Sequence, residues 1–141
     1  MYNIDRFIDS HEVYYEMDLT EIKNGYKYGH WMWFIFPQLK GLGESDLADY
    51  YGISGLEEAK EYYNNDYLRK HLIEISKALL RVENKSINYI MGYPDNLKLK
   101  SCMTLFELVD PKEEIFKEVL DKYYSGERDD LTIKMVIGGN N

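Results

Sequence analysis

His30-Trp31-Met32-Trp33-Phe34-Ile35-Phe36-Pro37-Gln38-Leu39, followed by Lys40-Gly41-Leu42-Gly43, is the stretch on which the fold class turns. It holds both tryptophans of the chain and six aromatic or large apolar residues in a row, Trp31 to Phe36. Aromatic content on its own favours a strand. A strand needs a partner, however, and every other long segment of this chain reads as helical. We therefore read 30–36 as a short buried helix that stops before Pro37, and 37–44 as loop, with Gly41-Leu42-Gly43 shaping a turn rather than cradling phosphate. Dense apolar residues closed by Pro-Gln and a Gly-x-Gly pair suggest a buried wall with a polar rim.

Outward from this stretch the periodicity is helical. On 3–24, Ile4, Phe7, Ile8, Tyr15, Leu19 and Ile22 form one stripe that also carries His11, with Asn3 as cap and Gly25 as stop. Residues 25–29 connect. Ser45 opens a helix over 46–51, and Ser54 with Glu57 forms a capping box for one ending near Asn64. Asp66 caps a longer helix to about Glu83, lined by Leu68, Leu72, Ile75, Leu79 and Val82, with His71 at its edge. Ser86 starts a brief helix that Gly92 ends, and Asp95 caps a helix over 96–108. Asp110-Pro111-Lys112-Glu113 has the pattern of a helix start, with proline at the first position, for a helix stopping at Gly126. A last helix covers 130–137, and the tail 138–141 frays. The expectation is a single all-α domain over 1–141, of about seven to nine helices, several short.

Bulk properties exclude several classes. The chain has 141 residues, 45% hydrophobic and 30% charged, which suits one globular domain. A run of six apolar residues is far short of a membrane span, and no secretory signal is recognisable, so a cytoplasmic protein without membrane contact is expected. A net charge of −8 argues against duplex nucleic acid as partner, since phosphate contacts dominate that affinity. It leaves room for a small anion in a locally basic pocket. One cysteine, Cys102, and three histidines show no metal-ligand spacing, and no phosphate loop occurs, so neither metal nor cofactor is expected. Cys102 lies on an apolar stripe, where a thiol is usually inert, although a pair with His30 or His11 is conceivable.

The candidate ligand-binding residues combine flat aromatics with cations. They are Lys27, His30, Trp31, Trp33 and Gln38 around the first motif, then Lys98, Ser101 and Thr104 at helical spacing on one face, then Arg128 and Asp129. Aromatic faces stack on planar rings, and Lys and Arg hold phosphate or carboxylate. The alternative is that the tryptophans are core, Lys98 is surface, and Arg128-Asp129 is a local ion pair.

The same residues resemble the uncharacterised bacterial domain-of-unknown-function family 1810, whose members are often labelled calpastatin. The resemblance rests on the motif from His30 to Leu39 with Gly41-Leu42-Gly43, on Glu58-Ala59, and on Asp95 and Lys98 running into Ser101-Cys102-Met103-Thr104-Leu105-Phe106. Gly126, Arg128, Asp129 and Thr132 complete it, so it spans nearly the whole chain. It implies an all-α fold and no established activity, cofactor or catalytic residue. Two departures stand out. Tyr26-Lys27-Tyr28-Gly29 replaces an arginine-rich approach to the first motif, which leaves Lys27 to supply phosphate-binding charge. His11 replaces a glutamine.

Three functions are compatible with these residues. The first is a binding module for an anionic, nucleotide-derived ligand, sensing or sequestering a nucleotide signal in a bacterium or phage. The second is a metal-independent enzyme on a nucleotide or ADP-ribose-like substrate, with His30 or Asp129 as general acid or base. The third is a homo-oligomeric interaction protein presenting some of its fourteen tyrosines.

Overall fold

The computed structural model describes residues 2–138 and contains nine helices among them, with no strand, so the all-α expectation holds. In order these are α1 (Asp5–Lys23), α2 (Met32–Ile35), α3 (Asp46–Tyr50), α4 (Leu56–Asn64), α5 (Asp66–Arg81), α6 (Ile87–Met91), α7 (Asp95–Val109), α8 (Ile115–Tyr124) and α9 (Asp130–Gly138). The expected frayed tail is helical at Gly138, and residues 139–141 lie outside the described residues.

One apolar core joins them. Helix α7 is its centre. Leu99, Cys102, Met103, Leu105 and Phe106 are all fully buried, because α4, α8 and α9 pack around it on different sides. A helix that is apolar nearly all round belongs in such a position. Helix α5 has a clear apolar face instead, which it divides between α1 and α8. The aromatic stretch forms α2, a single helical turn whose Met32, Phe34 and Ile35 are buried. Beyond it, the chain is pinned by one parallel bridge, Leu39 to Ile53, through Ile53 N–H to Gln38 O and Lys40 N–H to Ile53 O. Gly52 makes that approach possible, because a Cβ there would lie 2.7 Å from Lys40 Cα.

Several helix ends differ from expectation. Ser45 and Ser86 cap α3 and α6 as anticipated, with Oγ accepting from Ala48 and Tyr89 N–H. Asn3 does not cap α1. Asn65, not Asp66, caps α5, its Oδ1 accepting from Leu68 N–H at 3.0 Å. Asp95 is not a side-chain cap for α7; its carboxylate turns to Lys27. The Ser54–Glu57 box is absent. Glu58 takes the Ser54 N–H at 2.8 Å and pairs with Arg6 across the core edge, which buries it. Asp110-Pro111 starts no helix. Asp110 terminates α7 and accepts from Tyr63 O–H, so a tertiary partner takes the carboxylate and α8 begins only at Ile115.

Candidate functional site

The first motif is held by a carboxylate from α1. Glu21 Oε1 accepts from Tyr28 N–H at 2.8 Å, Gly29 N–H at 3.0 Å and Trp31 Nε1–H at 2.8 Å. Burial opposes ionisation of Glu21, and these bonds together with the Lys27 charge more than cancel it, so its pKa lies below the usual carboxylate value. Gly29 is required sterically, because a Cβ there would sit 2.8 Å from Trp31 Cδ1. Lys27 completes a clasp. Its Nζ bonds Asp95 Oδ2 at 2.7 Å and Gly29 O at 2.6 Å, and lies 5.0 Å from the Trp31 ring centre. Trp31 and Lys27 therefore tie α1, the connector and α7 together.

Trp33, two residues further, does something different. It is half-buried and stands between two depressions. On one side is a hollow of about 390 Å³ lined by Tyr14, Asp18, Glu21, His30, Trp31, Trp33 and Tyr51, among others. On the other is a broader groove of about 590 Å³ in which Gln38, Lys98, Lys100, Ser101 and Asp129 meet. A tight seam of about 10 Å³ between them is lined by Trp33, Tyr51, Gln38 and Lys98. Lys98 Nζ lies 5.5 Å from the Trp33 ring centre, a cation–π distance, and 3.9 Å from Asp95 Oδ1.

The hollow is aromatic and acidic, with neither lysine nor arginine in its lining. Asp18 stands out there. It is 2% exposed, yet its Oδ2 has no hydrogen-bond partner. Burial, with Glu21 nearby, pushes its pKa from 3.8 up to about 7, against a partial pull from Lys27. Trp33 Nε1 is likewise buried and unpartnered. Native proteins satisfy nearly all such groups, so the unpartnered Asp18 oxygen marks this hollow.

The expected site residues thus divide. His30, Trp31 and Trp33 line the hollow, while Gln38, Lys98, Ser101 and Asp129 line the groove. Lys27, Thr104 and Arg128 line neither. Arg128 is gripped by both carboxylate oxygens of Glu107, with its Nη1 on Gly126 O. Its partner is Glu107 rather than Asp129. Asp129 Oδ2 accepts from Thr132 N–H and Oγ1–H, and so caps α9. Thr104 is buried and accepts from Asp129 N–H at 2.9 Å, which fixes that turn to α7. Ser101 Oγ bonds back to Leu97 O. Cys102 is fully buried, and burial pushes its thiol well up, so it offers no nucleophile. Among the described residues no cluster of three His, Cys, Asp or Glu is placed to hold a metal ion.

Asp18, Glu21, Tyr14 and Tyr51 are not among the residues expected from sequence. The signal for Asp18 was present. It falls seven residues after His11 and three after Tyr15, squarely on the apolar stripe of α1.

The family model for proteins of unknown function DUF1810 matches residues 1–136. The chain belongs to that family. It is also similar in structure to a conserved hypothetical protein, Rv1873, from Mycobacterium tuberculosis. That crystal structure is 43% identical to this chain, with a TM-score of 0.93, covering 95% of this chain and 96% of the other. A search of curated proteins found no match. No helix among the described residues is long and apolar enough to cross a membrane.

Proposed function

We propose that this DUF1810 protein is a small-molecule-binding module for an anionic, nucleotide-like ligand. The ligand's planar ring enters the aromatic hollow against Trp33, and its anionic group lies beside Lys98 in the groove. One observation carries this: Trp33 is shared between an aromatic hollow and the neighbourhood of a lysine, with a seam between them. Lys27 and Arg128, bonded to Asp95 and Glu107, are not part of the anion site. A cytoplasmic role, sensing or sequestering a nucleotide, fits the single buried thiol.

Tryptophan fluorescence titrated with nucleoside monophosphates tests the proposal. Trp33→Leu is expected to weaken binding at least tenfold, and Lys98→Ala to weaken nucleotides but not nucleosides. A folded protein silent at millimolar ligand contradicts it.

A second reading draws on Asp18 and Glu21, two carboxylates of one hollow with pKa values displaced in opposite directions. Such a pair can divide acid and base roles on a nucleotide or ADP-ribose-like substrate. Of the two acid–base candidates read from sequence, His30 is at this hollow and Asp129 is committed to capping. Product appearance by chromatography that depends on Asp18 and Glu21 would favour the enzyme.

A further inference from the structure

The hollow beside Trp33 has a built polarity that the anionic ligand class does not explain. Its walls are flat rings, notably Trp31, Trp33, Tyr14 and Tyr51, and its lining carries Asp18 and Glu21 without a lysine or arginine. Glu21 already accepts three hydrogen bonds through Oε1. Asp18 is the unmet acceptor, 2% exposed with Oδ2 unpartnered. The Lys27 ammonium, whose charge reaches Asp18, is bonded to Asp95 and Gly29 instead.

Three ligand groups could answer a carboxylate in an aromatic slot. A quaternary ammonium would satisfy the ring faces but has no N–H, and would leave Asp18 unbonded. An alkylammonium has donors but is a compact, strongly hydrated charge that does not stack. A planar group with two adjacent N–H donors satisfies both walls and floor, since it stacks on rings and pairs both oxygens of a carboxylate. We infer that Asp18 reads a planar paired N–H edge, the pattern shared by the guanine base and a guanidinium group, entering the hollow beside Trp33. This deepens the proposed function by naming the ring that the hollow prefers. The two sources of that edge, a base and a guanidino compound, share this chemistry, and their relative affinities separate them.

Isothermal titration at pH 8 with guanosine, agmatine, adenosine and choline tests this on the wild type, D18N and K98A. Guanosine or agmatine should bind at least tenfold tighter than adenosine or choline. D18N should lose at least tenfold on whichever binds, and K98A is read only in the ribose 5-phosphate arm below. Guanosine ahead of agmatine identifies a base, and the reverse a guanidino compound. Equal or tighter binding of adenosine or choline overturns the inference, as does D18N binding guanosine and agmatine like the wild type, or no binding of either at 10 mM. The wild-type ranking alone decides if D18N fails to fold. Ribose 5-phosphate serves as a separate arm. If it binds through Lys98 while D18N leaves guanosine and agmatine binding unchanged, the preference for paired donors fails and the parent reading stands. If it does not bind while guanosine does, the anion site fails and Asp18 keeps its role.

Discussion

His11 and Asp18 lie two helical turns apart on the buried stripe of α1, and each is 2% exposed. Their surroundings are opposite. His11 Nε2 meets Phe34 O at 2.8 Å and its Nδ1 meets His71 Nδ1 at 2.9 Å. A carbonyl only accepts, so His11 carries its proton on Nε2, and its bare Nδ1 takes the proton that His71 offers. The pair continues into Tyr15, whose ring stacks on His71 at 3.6 Å and whose O–H donates to Glu74 at 2.6 Å. Every polar atom of His11 is answered from within the fold. Asp18 Oδ2 has no hydrogen-bond partner. A satisfied buried polar group specifies packing; an unsatisfied one at the wall of a hollow costs stability and is retained where something else binds it.

The sharpest way to break this contrast is the pH dependence of stability. Asp18 has a folded pKa of about 7 against 3.8. The folded state therefore holds the proton more tightly, and stability falls as pH rises from about 4 to about 7. His11 runs the other way. Its pKa is pushed from 6.5 down to about 4, chiefly by burial, with the neighbouring His71 adding to the effect. The unfolded state binds that proton better, so stability rises over nearly the same window. Each leg amounts to at most about 3–4 kcal/mol. Urea unfolding across pH should show a shallow wild-type profile. D18N should rise from pH 4 to 7, and His11→Gln should fall. A D18N profile no steeper than the wild type would break the assignment.

At constant pH 7.5, His11→Ala should destabilise by about 2–4 kcal/mol, since it opens a void and orphans both Phe34 O and the His71 proton. His11→Gln offers a donor and an acceptor in place of the two ring nitrogens and should cost less than about 1 kcal/mol. Equal losses for the two variants would mean that ring packing, not hydrogen bonding, holds this region. A smaller effect is expected at the other end of the molecule. Thr104→Val removes the acceptor for Asp129 N–H and should cost about 1–2 kcal/mol by thermal unfolding. Smallest is Arg128→Ala, at about 1 kcal/mol or less, because its Glu107 pair is partly solvated. Ligand titrations should not change with it; a tenfold weaker nucleotide response would restore Arg128 to the site.

How much of this was legible in the sequence can be argued residue by residue. Helices α1, α5 and α8 follow from their apolar period, and the one-turn α2 from the lack of any partner strand. The start of α8 differs from expectation because an Asp-Pro pair carries the same local chemistry whether it opens one helix or closes another. The Tyr63 O–H, 47 residues away, settles it. The same distance hides the fate of the cations. Lys27 and Arg128 look available until Asp95 and Glu107 arrive from other segments. Trp33 and Lys98, named from a motif and a helix face, lie within 5.5 Å of one another. Asp18 was passed over for a different reason. The stripe of α1 is defined by its apolar members, and an acidic residue at the same spacing does not register in that pattern.

The carboxyl carbon of Asp18, followed by carbon-13 NMR as pH is raised through the free protein, tests the central claim most directly. A midpoint near 7, falling when a ligand fills the hollow, is what an unpartnered buried acid requires. A midpoint near 4 in the free protein would mean that water or a protein group already serves Asp18, and that the hollow beside Trp33 is only a dimple between helices.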